Sequence, residues 1–259
     1  MFLDSIAGHV RRELESKRRQ VSLDHLRERP LFHRTPRGFE KSLQGAGRHI
    51  IAEIKRASPS QGLIRQDFNA VKIAQAYVAN GASALSVLTE EKFFQGSLLY
   101  LEEVRKEISI PLLRKDFILD SYQLLEARSY GADAVLLIVA LLEPSQLRGL
   151  QDEARSLSLD TLVEVHSESE MEVALEAGSS LVGINNRDLH TFQVTLETTR
   201  RLKPLVPPGV TVVSESGIDS PEHIQGLEKL GVQIFLIGEA LMRTPDPGAK
   251  LREFLEVED

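Results

Sequence analysis

Residues 130–139 read YGADAVLLIV: a helix end, a glycine, a short loop, then an unbroken apolar run. The same phrase returns as NGASALSVLT (80–89), AGSSLVGINN (177–186) and LGVQIFLIGE (230–239). Its glycines, Gly81, Gly131, Gly178 and Gly231, stand 50, 47 and 53 residues apart. Glycine closes a helix because it enters the left-handed conformation without a steric penalty. A compact strand–helix unit takes roughly 25 residues, so each interval holds two units and further strands are expected midway.

Eight candidate strands result: HIIAEIK (49–55), ALSVLT (84–89), PLLRKD (111–116), AVLLIV (134–139), TLVEV (161–165), LVGINN (181–186), VTVVSE (210–215) and IFLIGE (234–239). They are short and largely unalternating, as strands covered on both faces must be. Helical signals fill the gaps. SESEMEVALEAG opens at Ser167 with a Ser-x-x-Glu capping box and closes at Gly178. SPEHIQGLEKLG pairs Ser220 as a cap with Pro221 at the first helical position, and spaces Ile224, Leu227 and Leu230 for one buried face. Eight alternating units predict an α/β fold, a single (β/α)8 TIM barrel. An open dinucleotide-binding sheet lacks support, because no G-x-G-x-x-G follows the first strand.

Residues 1–47 precede the barrel of 48–259. Ile6, Val10 and Leu14 form a helical stripe, followed by the connector RTPRGFEKSLQGAG. A separate domain needs a larger core than this, so the expectation is an N-terminal helical extension packed on the barrel. Charge is uneven: residues 1–50 carry eleven Lys and Arg against six Asp and Glu, within a chain of net charge −7. The basic arm reads as the polar face of an amphipathic helix. With no Trp and no basic patch interleaved with aromatics, nucleic acid is not an expected partner. The absence of cysteine excludes disulfides, thiolate metal sites and cysteine nucleophiles. No apolar run reaches the roughly 20 residues of a membrane span, and the N-terminus lacks the order of a secretory signal. The expected setting is the cytoplasm, and the expected state a monomer.

In a barrel the chemistry gathers where strands end. Those positions hold Glu53 and Lys55, Lys115, Glu164, Asn185 and Arg187, then Glu215 and Ser216. In IAEIKRASPSQG (51–62), Glu53 and Lys55 are two apart and share a strand face. Buried charges cost free energy unless paired or used, so the convergence marks a site. Gly217 and Gly238 follow the seventh and eighth strands, each before a helix start, where barrels commonly cradle phosphate. Phe93, Phe94 and Phe117 lie in loop territory and suit either a pocket wall or the core. His166, with no second ligand at metal spacing, reads as a supporting residue. His9, His25, His33 and His223 read as surface residues.

IIAEIKRASPSQG, SVLTEEKFFQGS, PLLRKDFILDSYQ, LVEVHSESE, GINNRDLHTF and SESGI, in this order on successive strands, resemble the indole-3-glycerol phosphate synthase family over essentially the whole chain. Gln61 departs from it, standing where Lys is common. The resemblance implies conversion of 1-(2-carboxyphenylamino)-1-deoxyribulose 5-phosphate to indole-3-glycerol phosphate with release of carbon dioxide and water, within tryptophan biosynthesis. It implies Lys115 as acid, Glu164 for later proton work, Glu53 as orienting group and Lys55 as anion holder and proton-transfer assistant. It further implies Ser58, Arg187 and Asn185 at the anthranilate carboxylate, Glu215 as a substrate contact, and Phe94 and Phe117 beside the ring. Ser216, Gly217, Gly238 and Glu239 form the implied phosphate cradle. No metal or redox cofactor is implied. Phosphoribosylanthranilate isomerase is a competing reading, weakened by the missing cysteine, the long extension and the two lysines at strand ends. A non-catalytic phosphate-binding barrel is another, weakened by the complete acid–base set.

Overall fold

The computed structural model describes residues 2–256. Met1 and residues 257–259, the outer ends of the expected extension and barrel, lie outside the described residues. The barrel strands are β1 (His49–Ile54), β2 (Ala84–Leu88), β3 (Leu112–Lys115), β4 (Ala134–Ile138), β5 (Asp160–Val165), β6 (Leu181–Asn185), β7 (Thr211–Glu215) and β8 (Ile234–Ile237). All pair in parallel, and β1 closes the ring against β8 with His49 opposite Ile234. The eight expected strands are all present, each within two residues of its expected bounds. Every residue of β2, β4, β6 and β8 is buried, which accounts for their mostly apolar, unalternating character.

Helices join the strands, and several start as the sequence dictates. Ser167 Oγ accepts from the Glu170 N–H at 3.2 Å, but Glu170 Oε2 returns to the His166 N–H, one residue earlier than a reciprocal box requires. Ser220 caps Pro221–Glu228 by position only; its side chain makes no cap hydrogen bond. Ile224 and Leu227 are buried as expected, whereas Leu230 is 38% exposed. The helix ends at Glu228, so the 3.6-residue period no longer carries Leu230 inward.

The extension begins with α1 (Phe2–Gln20) and α2 (Leu23–Glu28). Leu3, Ile6, Val10 and Leu14 are buried in the common core, each side chain contributing about 2 kcal/mol of apolar burial. The connector contains a short helix, Phe39–Ser42, with Phe39 buried. The charge asymmetry resolves into pairs: Arg18 meets Asp120, Arg29 meets Glu102 at 2.7 Å, and Arg34 meets Asp133 at 2.6 Å. The basic arm therefore faces an acidic barrel. At the closing seam, Arg48 grips Glu228 through two nitrogens, at 2.8 and 2.9 Å, and donates to the Phe254 carbonyl.

Candidate active site

A cavity of about 350 Å³ opens at the C-terminal end of the strands, within the size range of small-molecule pockets. All fourteen residues expected at the site line it.

Its centre is Lys115, at the end of β3. Nζ donates to Glu164 Oε2 on β5 at 2.8 Å and to Glu215 Oε2 on β7 at 2.6 Å. Burial alone would lower the lysine pKa, but attraction to Glu164, Glu215 and Glu53 outweighs it and holds the ammonium charged far above its ordinary range. The two carboxylates share one cation and diverge. Burial would raise Glu164, yet Lys115 and His166 together pull it well below the usual carboxylate value. Burial dominates at Glu215; Lys115 opposes it, the charge of Glu164 reinforces it, and the group is pushed up to about 7. Glu215 Oε1 has no hydrogen-bond partner among the described residues. It lies against Gly183, where a Cβ would stand 2.0 Å from it, so only glycine admits this rotamer.

Glu53 and Lys55 do share a face, with Nζ and Oε1 2.9 Å apart. Gly238 lies against Glu53, and a Cβ there would meet Oε1 at 2.3 Å. Ser58 is on a two-stranded ribbon, Ala57–Ser58 with Gly62–Leu63, that follows β1. Arg187 links three segments at the C-terminal end of the barrel: it reaches Ser60 Oγ at 3.4 Å, the Phe192 carbonyl at 3.4 Å and Glu239 Oε2 at 3.3 Å. Glu239 also pairs with Arg243 at 2.7 Å, and Arg243 in turn donates to Gln61. Asn185 Oδ1 accepts from the Arg187 N–H at 3.0 Å. Phe94 and Phe117 face each other with ring centroids 6.0 Å apart, beside Leu88, Leu136 and Ile138.

Ser216 and Gly217 both have positive φ, +66° and +74°, and turn the chain sharply after β7. Gly238 directly precedes the short helix Glu239–Met242, but Gly217 stands four residues before its helix, farther than expected. Phe93 does not line the cavity; it packs edge-on against His9 of α1, which is half-buried, as is His223. His25 and His33 are exposed.

Four contributors escaped sequence reasoning. Leu3 and Ile6 of α1 line the cavity mouth. Asn186 is 1% exposed and donates to Ser214 Oγ and to the Ser216 carbonyl, pinning the turn after β7. Asp116 accepts from the Phe117 N–H and from buried Arg114, fixing the chain just beyond Lys115. Adjacency was the available signal, since neighbouring strand residues face opposite ways and Asn186 must support what Asn185 presents.

These features define a (β/α)8 barrel enzyme whose paired acids and bases converge in one cavity at the C-terminal end of the strands. Solved barrels share the architecture: 3-hexulose-6-phosphate synthase from Salmonella typhimurium aligns with TM-score 0.63 at 12% identity, over 80% of this chain and 96% of that one. Thiamine phosphate pyrophosphorylase from Pyrococcus furiosus aligns with TM-score 0.59 at 17% identity, over 80% and 93%. At such identities only the fold is shared. The indole-3-glycerol phosphate synthase family model matches residues 3–254, and the chain belongs to that family. The indole-3-glycerol phosphate synthase of Dehalococcoides mccartyi strain CBDB1 is 49% identical, over 98% of this chain and all of the relative. That of Thermoanaerobacter pseudethanolicus is 46% identical, over 99% and 98%. Membership in this family separates the chain from the isomerase.

Proposed function

We propose that the chain is a carbon–carbon lyase that turns 1-(2-carboxyphenylamino)-1-deoxyribulose 5-phosphate into indole-3-glycerol phosphate, carbon dioxide and water, in tryptophan biosynthesis. The observation that carries the chemical reading is the doubly held ammonium of Lys115. Ring closure joins an aromatic carbon to the ketone carbon, and the ketone oxygen must gain a proton. A lysine kept cationic by two carboxylates supplies it. Loss of carbon dioxide restores the aromatic ring. The new hydroxyl then leaves as water, with Glu164 taking the proton given up by the ring system and Lys55 assisting the departure. Glu53, bonded to Lys55, orients that lysine.

The anthranilate carboxylate goes to Ser58, Arg187 and Asn185, and must be gripped without overstabilising the ground state. Arg187 meets this requirement because Glu239 already shares its charge. Phosphate goes to Ser216, Gly217, Gly238 and Glu239, the last through its backbone N–H because its carboxylate is committed to two arginines. Phe94 and Phe117 flank the ring, with Glu215 a substrate contact as well as a holder of Lys115. The reaction balances with protons alone, so no metal or redox cofactor is invoked.

Residues 1–47 and 48–259 are read as one working unit, a monomer of the cytoplasm that takes no nucleic acid. Support comes from the cross-paired charges and the family's biosynthetic role; among the described residues no helix is long and apolar enough to cross a membrane. The test is direct. Purified protein is given the carboxyphenylamino-deoxyribulose phosphate with EDTA present, and indole fluorescence is followed alongside carbon dioxide. A rise with one carbon dioxide per indole is expected. A folded protein that binds substrate without turnover would overturn the reading.

A further inference from the structure

Glu164 uses Oε2 for Lys115, and its other oxygen faces a residue outside the scheme above. His166 follows two positions later, so it shares the inward side of the β5 terminus. Its Nε2 stands 3.3 Å from Glu164 Oε1, and its Nδ1 stands 3.0 Å from Glu170 Oε2. Glu170, in the first turn of the helix Glu168–Glu176, also accepts from the His166 backbone N–H at 2.8 Å. The result is a line of alternating charge from the cavity outward: Lys115, Glu164, His166, Glu170.

We propose that His166, held by Glu170, is a positioning residue for Glu164, a second cation that keeps this carboxylate ionised and oriented after Lys115 has given up its proton. The proposal rests on the synthase reading and on the role given there to Glu164. Its logic is sequential. Once Lys115 becomes neutral, Glu164 loses its main counter-charge in a buried site that already holds Glu215 from β7 and Glu53 from β1. An isolated carboxylate there would rise in pKa and take up a proton too early. The imidazolium prevents this and remains in place for the dehydration step. Burial would favour neutral His166, but its charge pairing with Glu164 and its bond to Glu170 outweigh burial and raise it to about 10. The other charges near the helix start, Glu168 and Arg201, pair with each other at 3.4 Å and are more than half exposed, so water screens them.

The test uses Glu170→Gln, which keeps an oxygen for the His166 N–H and removes only the charge. Ring titration of His166 by carbon-edited NMR, assigned by the peak lost in His166→Asn, is paired with kcat across pH. In the unmodified protein the ring should stay charged beyond pH 8. In Glu170→Gln its midpoint should fall by about one unit or more, and the alkaline limb of kcat should move down with it while KM at neutral pH stays within about twofold. Ser167→Ala, which weakens the helix cap without touching charge, should leave the limb in place. The proposal is overturned if the ring is neutral at pH 7.5 in the unmodified protein, if its midpoint moves and the kcat limb does not, or if Ser167→Ala moves the limb equally. Unmodified protein that turns nothing over while His166 titrates as expected overturns the synthase reading, and the proposal with it. Turnover with an indifferent limb overturns the proposal alone.

Discussion

Asp133 and Glu215 are each 1% exposed and lie at opposite ends of the barrel. Asp133, just before β4, accepts from Arg34 Nη2, Arg105 Nη1 and the N–H groups of Arg37 and Leu112, at 2.6 to 2.9 Å. Both its oxygens are filled, and two of the donors come from the extension, so this carboxylate rivets α2's trailing segment to the barrel floor. Glu215 has one oxygen on Lys115 and the other bare against Gly183. A saturated buried charge stabilises geometry. An unsaturated one beside a shared cation costs stability and leaves protons free to move, which is the trade an active site makes.

The sharpest break in that comparison comes from Lys115→Met. Turnover should fall by about 10³-fold or more while substrate binding and fold are kept, as fluorescence kinetics and equilibrium binding would show. Asp133→Asn should do the reverse, costing about 3 kcal/mol in urea unfolding by stranding Arg105, with kcat of the folded protein nearly unchanged. Gly183→Ala forces Glu215 to move, and a drop in kcat of roughly 10- to 100-fold is expected without unfolding, since the added methyl displaces the Glu215 side chain and presses only slightly on Leu162.

Glu215→Gln probes the cost directly, and the sign is fixed by the direction of the shift. A carboxyl raised in the folded state favours its protonated form there, so its contribution is fully present below the unfolded value and is lost as pH rises through about 7. The variant should therefore match the parent near pH 4 and exceed it at pH 8 by an amount on the order of 1 kcal/mol, measured by denaturant midpoints. Equal stability at both pH values would mean that Glu215 is no more strained than Asp133. The smallest effect belongs to Arg155→Ala, whose partner Asp152 and itself are each 73% exposed; a change below about 0.5 kcal/mol is expected.

Both ends of the barrel left different traces in the sequence. The cavity residues announced themselves because a charge at the end of an apolar strand breaks a pattern, and β1, β3, β5 and β7 all break it there. Asp133 was invisible: an acidic residue in a helix-to-strand loop looks solvated, and only the fold brings Arg34 to it. Ile6 was legible as part of a stripe but not of the cavity lining, and Leu3 was not read at all, because helical periodicity tells which face is buried and not which end of a barrel it covers. Leu230 failed for a simpler reason, since the period was extended past the helix that sustains it.

The pairing of β1 with β8 also has a consequence in time. Strand β1 leaves the ribosome early, but its partner Ile234 lies about 180 residues downstream of it, and chains grow at roughly 5–20 residues per second. For some 10–40 seconds on that arithmetic, one edge of a largely apolar strand waits without its β8 partner. The Arg48–Glu228 clasp spans the seam at its start, so the last helix-and-strand unit to be made is also the one that latches the first. Synthesis of this barrel therefore carries a window of vulnerability whose length is set by topology, and which shortens only if translation quickens or a chaperone covers β1.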